Sequence, residues 1–368
     1  MLDGNAVAGT GLALGERDVP GQTMSIDNAI QDAAQILGDA GIETARLDAR
    51  CLLGQVLSMP PISLAGRRDE VLSTEALRRF GKLVAQRSAR TPVSRILGER
   101  EFWSMPFTIS GSVLDPRADS ECLIEALLSR INDRAAALRI LDLGTGSGCL
   151  LAALLCELPM STGLGVDIVP DALIVARSNL IRNGLAQRAQ FLCGDWAQAL
   201  CGETFDVVLV NPPYIRASDA GTLAPEVIDH DPHVALFGGS DGLAAYRKIL
   251  PDLSRLMRLG GIVAVEIGLG QQVAVSTMLK AAGFPDVECR RDLAGVERCL
   301  SARLEAQECQ DKKRAWNGGM RPLGSGSGFD GKTKSITDRR IHPSNAERTS
   351  VRRSSTVRER RGPAKQPL

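Results

Sequence analysis

The run Phe205-Asp206-Val207-Val208-Leu209-Val210 stops at Asn211-Pro212-Pro213-Tyr214, and this junction restricts the chain more than any other stretch. Four consecutive aliphatic residues read as a buried strand. Neither proline can donate a ladder hydrogen bond, and each fixes its own φ at about −65°. The strand therefore ends in a rigid turn. That turn holds the Asn211 side chain and the proline carbonyls outward at a strand's C-terminal end, where open α/β sheets bind ligands. A ligand-free turn is the plainer account of a lone Asn-Pro. The aromatic at the fourth position and a glycine loop upstream favour a functional one.

The upstream loop follows a second short strand, Arg139-Ile140-Leu141-Asp142-Leu143. Gly144-Thr145-Gly146-Ser147-Gly148 comes next, then a helical run from Cys149 to Glu157. Glycines at a strand-to-helix turn let the backbone approach a ligand closely. The spacing is not that of a dinucleotide fingerprint, since the third glycine position is Cys149. A third strand, Leu164 to Ile168, carries Asp167 about twenty residues further on, where a carboxylate accepts hydrogen bonds from ribose hydroxyls. Asp167 also precedes Pro170 and a helical run to Arg182, so capping that helix is its structural alternative. A fourth strand, Ala189 to Cys193, leads into Gly194-Asp195-Trp196, placing Asp195 and Trp196 beside an adenine by the same topology. Trp196 serves equally well as a core aromatic.

Charge is unevenly spread. Residues 301–368 carry 16 basic and 7 acidic side chains, a net of +9, and the remainder carries −8. The basic segment is rich in Gly, Ser, Arg and Pro without apolar periodicity, so disorder is expected from 303 to 368. Loose attraction to RNA is its functional reading, and a dispensable solvated extension is favoured. Nine cysteines show no C-x-x-C pair and read as small buried hydrophobes in a reducing cytoplasm. His230 and His233 are split by Asp231-Pro232, and no metal site is expected. No apolar stretch is long enough to span a bilayer, and the first 23 residues lack a basic start, so neither membrane nor secretory signal is read.

The chain divides by pattern into a flexible extension (1–23), short helices (24–90), a linker with a short β-hairpin (91–121), alternating strands and helices (122–302) and the tail (303–368). The alternation predicts a parallel sheet with helices on both faces.

The glycine loop with Asp142 resembles the first motif of class I methyltransferases. Asn-Pro-Pro-Tyr resembles the motif of S-adenosylmethionine-dependent enzymes that methylate planar nitrogens. Over nearly all of residues 25–302 the chain is similar to bacterial peptide-chain-release-factor glutamine methyltransferases, the HemK/PrmC type. The similarity extends to Arg46-Leu47-Asp48-Ala49, to Ile96 through Trp103, and to Val113 through Glu121. It continues through Asp231-Pro232, Ala235 to Gly239, Asp241-Gly242-Leu243, Asp292 to Gly295 and Arg298-Cys299-Leu300. Two departures stand out: Ala118 replaces a proline, and Ser94-Arg95 replaces an aromatic before Ile96.

The resemblance implies a Rossmann-like, seven-stranded, mostly parallel sheet behind a small all-α domain that recognises the substrate. It implies S-adenosyl-L-methionine held by Gly144, Thr145, Gly146, Ser147, Gly148, Asp167, Trp196 and Asn211. Asn211, Pro212, Pro213 and Tyr214 would bind the substrate amide, with Asn211, Pro212 and Tyr214 catalytic. Asn211 and the Pro212 carbonyl would accept the two amide N–H groups, and Tyr214 would cover the flat face of the amide. The implied partner is a class-1 release factor, with the glutamine of its Gly-Gly-Gln loop as acceptor. A monomer without a stable nucleic-acid partner is expected. A nucleic-acid amino-methyltransferase acting on adenine or cytosine uses the same turn. A non-catalytic cofactor-binding scaffold is the third possibility, disfavoured by the intact Asn211 and glycine loop.

Overall fold

The computed structural model describes residues 24–202 and 204–305. The expectations for the extension at 1–23 and for the tail from 306 onward lie outside these residues. Helices α1 (Ile26–Asp39), α2 (Ala45–Leu57) and α3 (Thr74–Ser88) come first. Ser25 and Ser73 accept hydrogen bonds from Asn28 and Ala76 backbone N–H groups, capping α1 and α3. Apolar residues at helical spacing close a separate small core of Ile26, Ala33, Leu37, Leu52, Phe80 and Val84.

The linker holds a short helix that its sequence did not announce, α4 (Val93–Leu97), and then the expected hairpin of β1 (Glu99–Phe102) and β2 (Met105–Thr108). The rest alternates: α5 (Glu121–Arg130), β3 (Arg139–Leu143), α6 (Cys149–Glu157), β4 (Thr162–Asp167), α7 (Pro170–Arg182), β5 (Ala189–Cys193) and β6 (Phe205–Val210). Two short helices follow, α8 (Pro225–Ile228) and α9 (His233–Leu236). After them come α10 (Ala244–Leu256), β7 (Met257–Glu266), α11 (Gln272–Ala281), β8 (Glu288–Arg291) and β9 (Glu297–Arg303).

The seven strands run in the order β5-β4-β3-β6-β7-β9-β8, with β9 antiparallel to both its neighbours and the others parallel. Alternate residues face opposite layers. Val207 and Leu209 of β6 join the core under α5, α6 and α7, whereas Val208 and Val210 join the core under α10 and α11. The last strand outruns the boundary read from the sequence: β9 reaches Arg303, and Leu304 is buried with its N–H on the Gly261 carbonyl (2.8 Å).

The chain order reverses between β3 and β6, since β4 and β5 lie on one side of that pair and β7 on the other. A crevice opens where such a reversal occurs, at the C-terminal strand ends. Leu143 and Val210 are paired across it, so the glycine loop and the Asn-Pro-Pro turn leave the sheet side by side.

Two ion-pair clusters tie the segment after that turn, one to the N-terminal helices and one to the linker. Glu226 of α8 accepts from Arg87 and Arg90, both at 2.9 Å, and Arg87 also reaches Asp48 at 2.7 Å. Asp231, almost fully buried, pairs with Arg95 at 2.7 Å and with Arg117. Arg95 further donates to the Ser110 and Val113 carbonyls. The departure at position 95 is thus accommodated in large part: a carboxylate and two carbonyls engage the terminal nitrogens of this buried guanidinium, while its Nε has no partner among the described residues.

Candidate active site

A cavity of about 320 Å³ occupies the crevice. Gly144, Thr145, Gly146 and Ser147 form its floor, Asp167, Asp195 and Trp196 one wall, and Asn211 and Pro213 another. The loop adopts its shape because Gly144, Gly146 and Gly148 all take positive φ, between 52° and 78°. Its first two N–H groups, on Gly144 and Thr145, donate to the Val166 carbonyl at 2.9 and 3.0 Å. Nothing lies within 4 Å of where a Gly146 Cβ would project, so ligand can come directly onto that backbone.

Gly148 behaves differently from the rest of the loop. It is not part of the cavity wall, and a Cβ there would sit 2.9 Å from Leu180 Cδ1 and 3.1 Å from Ala176 Cβ. Without a side chain at this position the start of α6 packs closely on α7.

Asp167 lines the cavity with its carboxylate already engaged by backbone: Oδ2 accepts from Gly146 N–H at 2.8 Å and Oδ1 from Val169 N–H at 2.9 Å. Each oxygen keeps a second lone pair. Val169, not Asp167, stands at the N-cap of α7, which has no side-chain cap bond, so Asp167 closes a local turn there and keeps its spare lone pairs beside the cavity. Trp196 holds a left-handed backbone, φ 53°, and its ring approaches Gly144 so closely that a Cβ on Gly144 would lie 3.1 Å from it. A half-buried tryptophan in this strained conformation is fixed by its surroundings, and it forms cavity wall rather than core alone.

Beneath the loop, Asp142 is fully buried, with Oδ2 accepting from Thr145 Oγ1 at 2.6 Å and Oδ1 without a partner among the described residues. Burial pushes its carboxyl up to about 7. The Thr145 hydrogen bond pulls the other way, and the nearby Asp167 charge adds to the rise.

The Asn-Pro-Pro-Tyr residues divide between cavity and support. Asn211 and Pro213 line the cavity, and Pro212 is buried behind them. Asn211 Nδ2 donates to Ser120 Oγ at 3.2 Å. Neither the Asn211 side-chain oxygen nor the Pro212 carbonyl accepts a hydrogen bond from any described residue. Tyr214 is not among the residues lining the cavity: its hydroxyl donates to Glu266 Oε1 at 3.1 Å, and its ring packs on Gly268. The physical reason is Glu266, a carboxylate only 2 % exposed at the end of β7, which must be supplied with donors. Burial holds both the Tyr214 phenol and the Glu266 carboxyl above their ordinary ranges, so Tyr214 stays a donor. His233 turns away from the cavity chemistry, with Nε2 at 2.9 Å from the Ile228 carbonyl.

Four supporting residues escaped the reading of motifs. Ser120 and Arg117 lie in the linker stretch already quoted, but without a role. Glu266 carried a signal that went unused, an acid at the C-terminal end of a strand like Asp167. Gln271 bridges the Tyr214 and Gly242 carbonyls through Nε2, at 2.9 and 3.2 Å, and no sequence pattern marks it.

The described residues include no helix long and apolar enough to cross a membrane. Residues 28–98 match the PrmC N-terminal domain and residues 101–247 the methyltransferase small domain. A release factor glutamine methyltransferase of Rhodospirillum rubrum is 42% identical over 304 residues, covering 83% of this chain and 92% of that protein. Those of Bradyrhizobium diazoefficiens and Cereibacter sphaeroides are each 41% identical, over 76% and 77% of this chain and 95% and 100% of theirs. Domain pair, sheet order and relatives agree, and the chain belongs to the release factor glutamine methyltransferase family.

Proposed function

We propose that this chain transfers a methyl group from S-adenosylmethionine to the side-chain amide nitrogen of the glutamine in the Gly-Gly-Gln loop of a class-1 release factor, in the cytoplasm. The observation that carries the reading is the pair of free acceptors at one strand end, the Asn211 side-chain oxygen and the Pro212 carbonyl. They stand beside a glycine-floored cavity.

The fit to the cofactor rests on that cavity. Gly146 offers unhindered backbone, Asp167 offers spare lone pairs of a carboxylate, and Trp196 offers an aromatic wall. S-adenosylmethionine, when bound, supplies a methyl group already activated on a sulfonium. The remaining work is positional. An amide nitrogen attacks weakly because its lone pair is delocalised into the carbonyl. Asn211 and Pro212 would accept its two N–H bonds, orienting the nitrogen. Those bonds strengthen as positive charge develops on it, which favours the transition state over the bound substrate. Tyr214 would act from below, holding the turn through Glu266 instead of shielding the amide.

The N-terminal helices are the second large folded surface available to a protein substrate, and we assign recognition of the release factor to them. The test is radiolabelled methyl transfer to purified release factors, run in parallel with DNA and RNA. Label on the glutamine of an intact factor is expected. Label on nucleic acid alone would replace this reading with the base-methylating one, and label on none would leave a binding scaffold.

A further inference from the structure

We propose that Ser120 and Glu266 form a hydrogen-bond relay that dictates which way round the Asn211 carboxamide sits, so that its oxygen and not its NH2 faces the substrate nitrogen. This rests on the methyl-transfer reading above. The two ends of a carboxamide are nearly the same size, so shape alone cannot choose between them. Neighbours of fixed polarity can.

The polarity here originates in Glu266. Its Oε2 accepts from Ser120 Oγ at 2.6 Å and its Oε1 accepts from Tyr214 at 3.1 Å. The Tyr246 hydroxyl meets the Glu266 backbone carbonyl at 2.9 Å. Arg298 contributes positive charge nearby, itself paired with Asp292 at 3.2 Å and Asp119 at 3.3 Å. A serine hydroxyl owns one proton. With that proton committed to the carboxylate, Ser120 presents only lone pairs to Asn211. The Asn211 atom that approaches it at 3.2 Å must therefore be the NH2 group. Reversing the amide would set oxygen against lone pairs at Ser120 and would aim N–H groups at the N–H groups of the substrate. Both faces of the error are repulsive, so the relay converts one buried charge into one defined acceptor.

Three remote segments meet to do this: the residue before α5, the end of β7 and the turn after β6. Glu266 and Ser120 touch no reacting atom in this scheme and are positioning residues. Glu266 also holds Tyr214, so Ser120, whose hydroxyl lies between Glu266 and Asn211, is the member whose effect on Asn211 is separable.

Steady-state methyl transfer to intact release factor with Ser120→Ala, Ser120→Thr, Asn211→Ala and the Ser120→Ala/Asn211→Ala double variant tests the relay. Ser120→Ala is expected to lower kcat by about tenfold or more, while KM and the calorimetric Kd for S-adenosylmethionine move by less than about threefold. Ser120→Thr keeps the hydroxyl, so most of the loss is recovered. In the Asn211→Ala background, Ser120→Ala should change kcat by less than about twofold, because no amide remains to orient. An unchanged kcat in Ser120→Ala, or losses that simply multiply in the double variant, would overturn the relay. Failure of the wild-type chain to methylate any release factor would instead remove the functional reading beneath it.

Discussion

Asn211 and Asp142 show how one side chain at the sheet's edge and another just beneath it answer to different physics. Asn211 is half-buried with one end anchored and one end free. Under the proposed mechanism, its replacement by Ala removes one of the two acceptors that gain strength in the transition state. Turnover should fall by about a hundredfold or more, roughly 3–4 kcal/mol, with much less change in cofactor affinity. Single-turnover methylation beside calorimetry would show the split. Asp142 is an energetic liability: its carboxyl is raised from the ordinary 3.8 to about 7. Between those values the folded chain holds a proton that the unfolded chain has lost, so this group's contribution to stability declines as pH rises through that window. Asp142→Asn abolishes the titration. Denaturation of cofactor-free protein should show the variant gaining on wild type from pH 4 to pH 7, approaching about 4 kcal/mol at the top. A pH-independent difference would mean that Asp142 titrates alike in both states.

At the scale of elements, the Asn-Pro-Pro turn is held from behind by the chain that follows it. Gly238 packs so tightly there that a Cβ would lie 2.5 Å from the Pro213 carbonyl oxygen and 2.7 Å from that of Gly242, both backbone. Gly238→Ala must therefore displace the turn or the loop. A loss of about 1–3 kcal/mol in urea denaturation is expected from such overpacking, with a fall in kcat as Pro213 shifts. Wild-type stability with full activity would show that the segment yields without moving the turn. The same logic explains the third glycine of the glycine loop, which lies outside the cavity lining: Gly148 admits α7 against α6.

On the scale of the whole molecule, the N-terminal helices have their own core and meet the rest through arginine–carboxylate pairs. A chain beginning at Arg90 retains the Arg90–Glu226 pair and the linker's own Arg95–Asp231 pair. It should still bind S-adenosylmethionine, yet methylate intact release factor far more slowly, because a glutamine side chain alone offers little binding area. Removal of residues 306–368 should leave kcat/KM little changed at physiological salt, since attraction from that basic stretch is screened. The cut belongs after Glu305, because Leu304 is part of the sheet's core. A severe loss on removing the tail, with none on removing the helices, would make the tail the recognition element.

The sequence by itself determined the strands, the loop and the turn, because each is a local pattern. Aliphatic runs end at glycine or proline, and acids recur at strand ends. The small mismatches follow the same rule: α4 is only five residues long, too short for periodicity to reveal. Tertiary structure alone decided what those motifs rest on. Ser120 and Glu266 are 146 positions apart, and Arg95 and Asp231 are 136 apart. No spacing rule joins such pairs. The folded chain selects them, since a carboxylate excluded from water must find its donors wherever the sheet brings them.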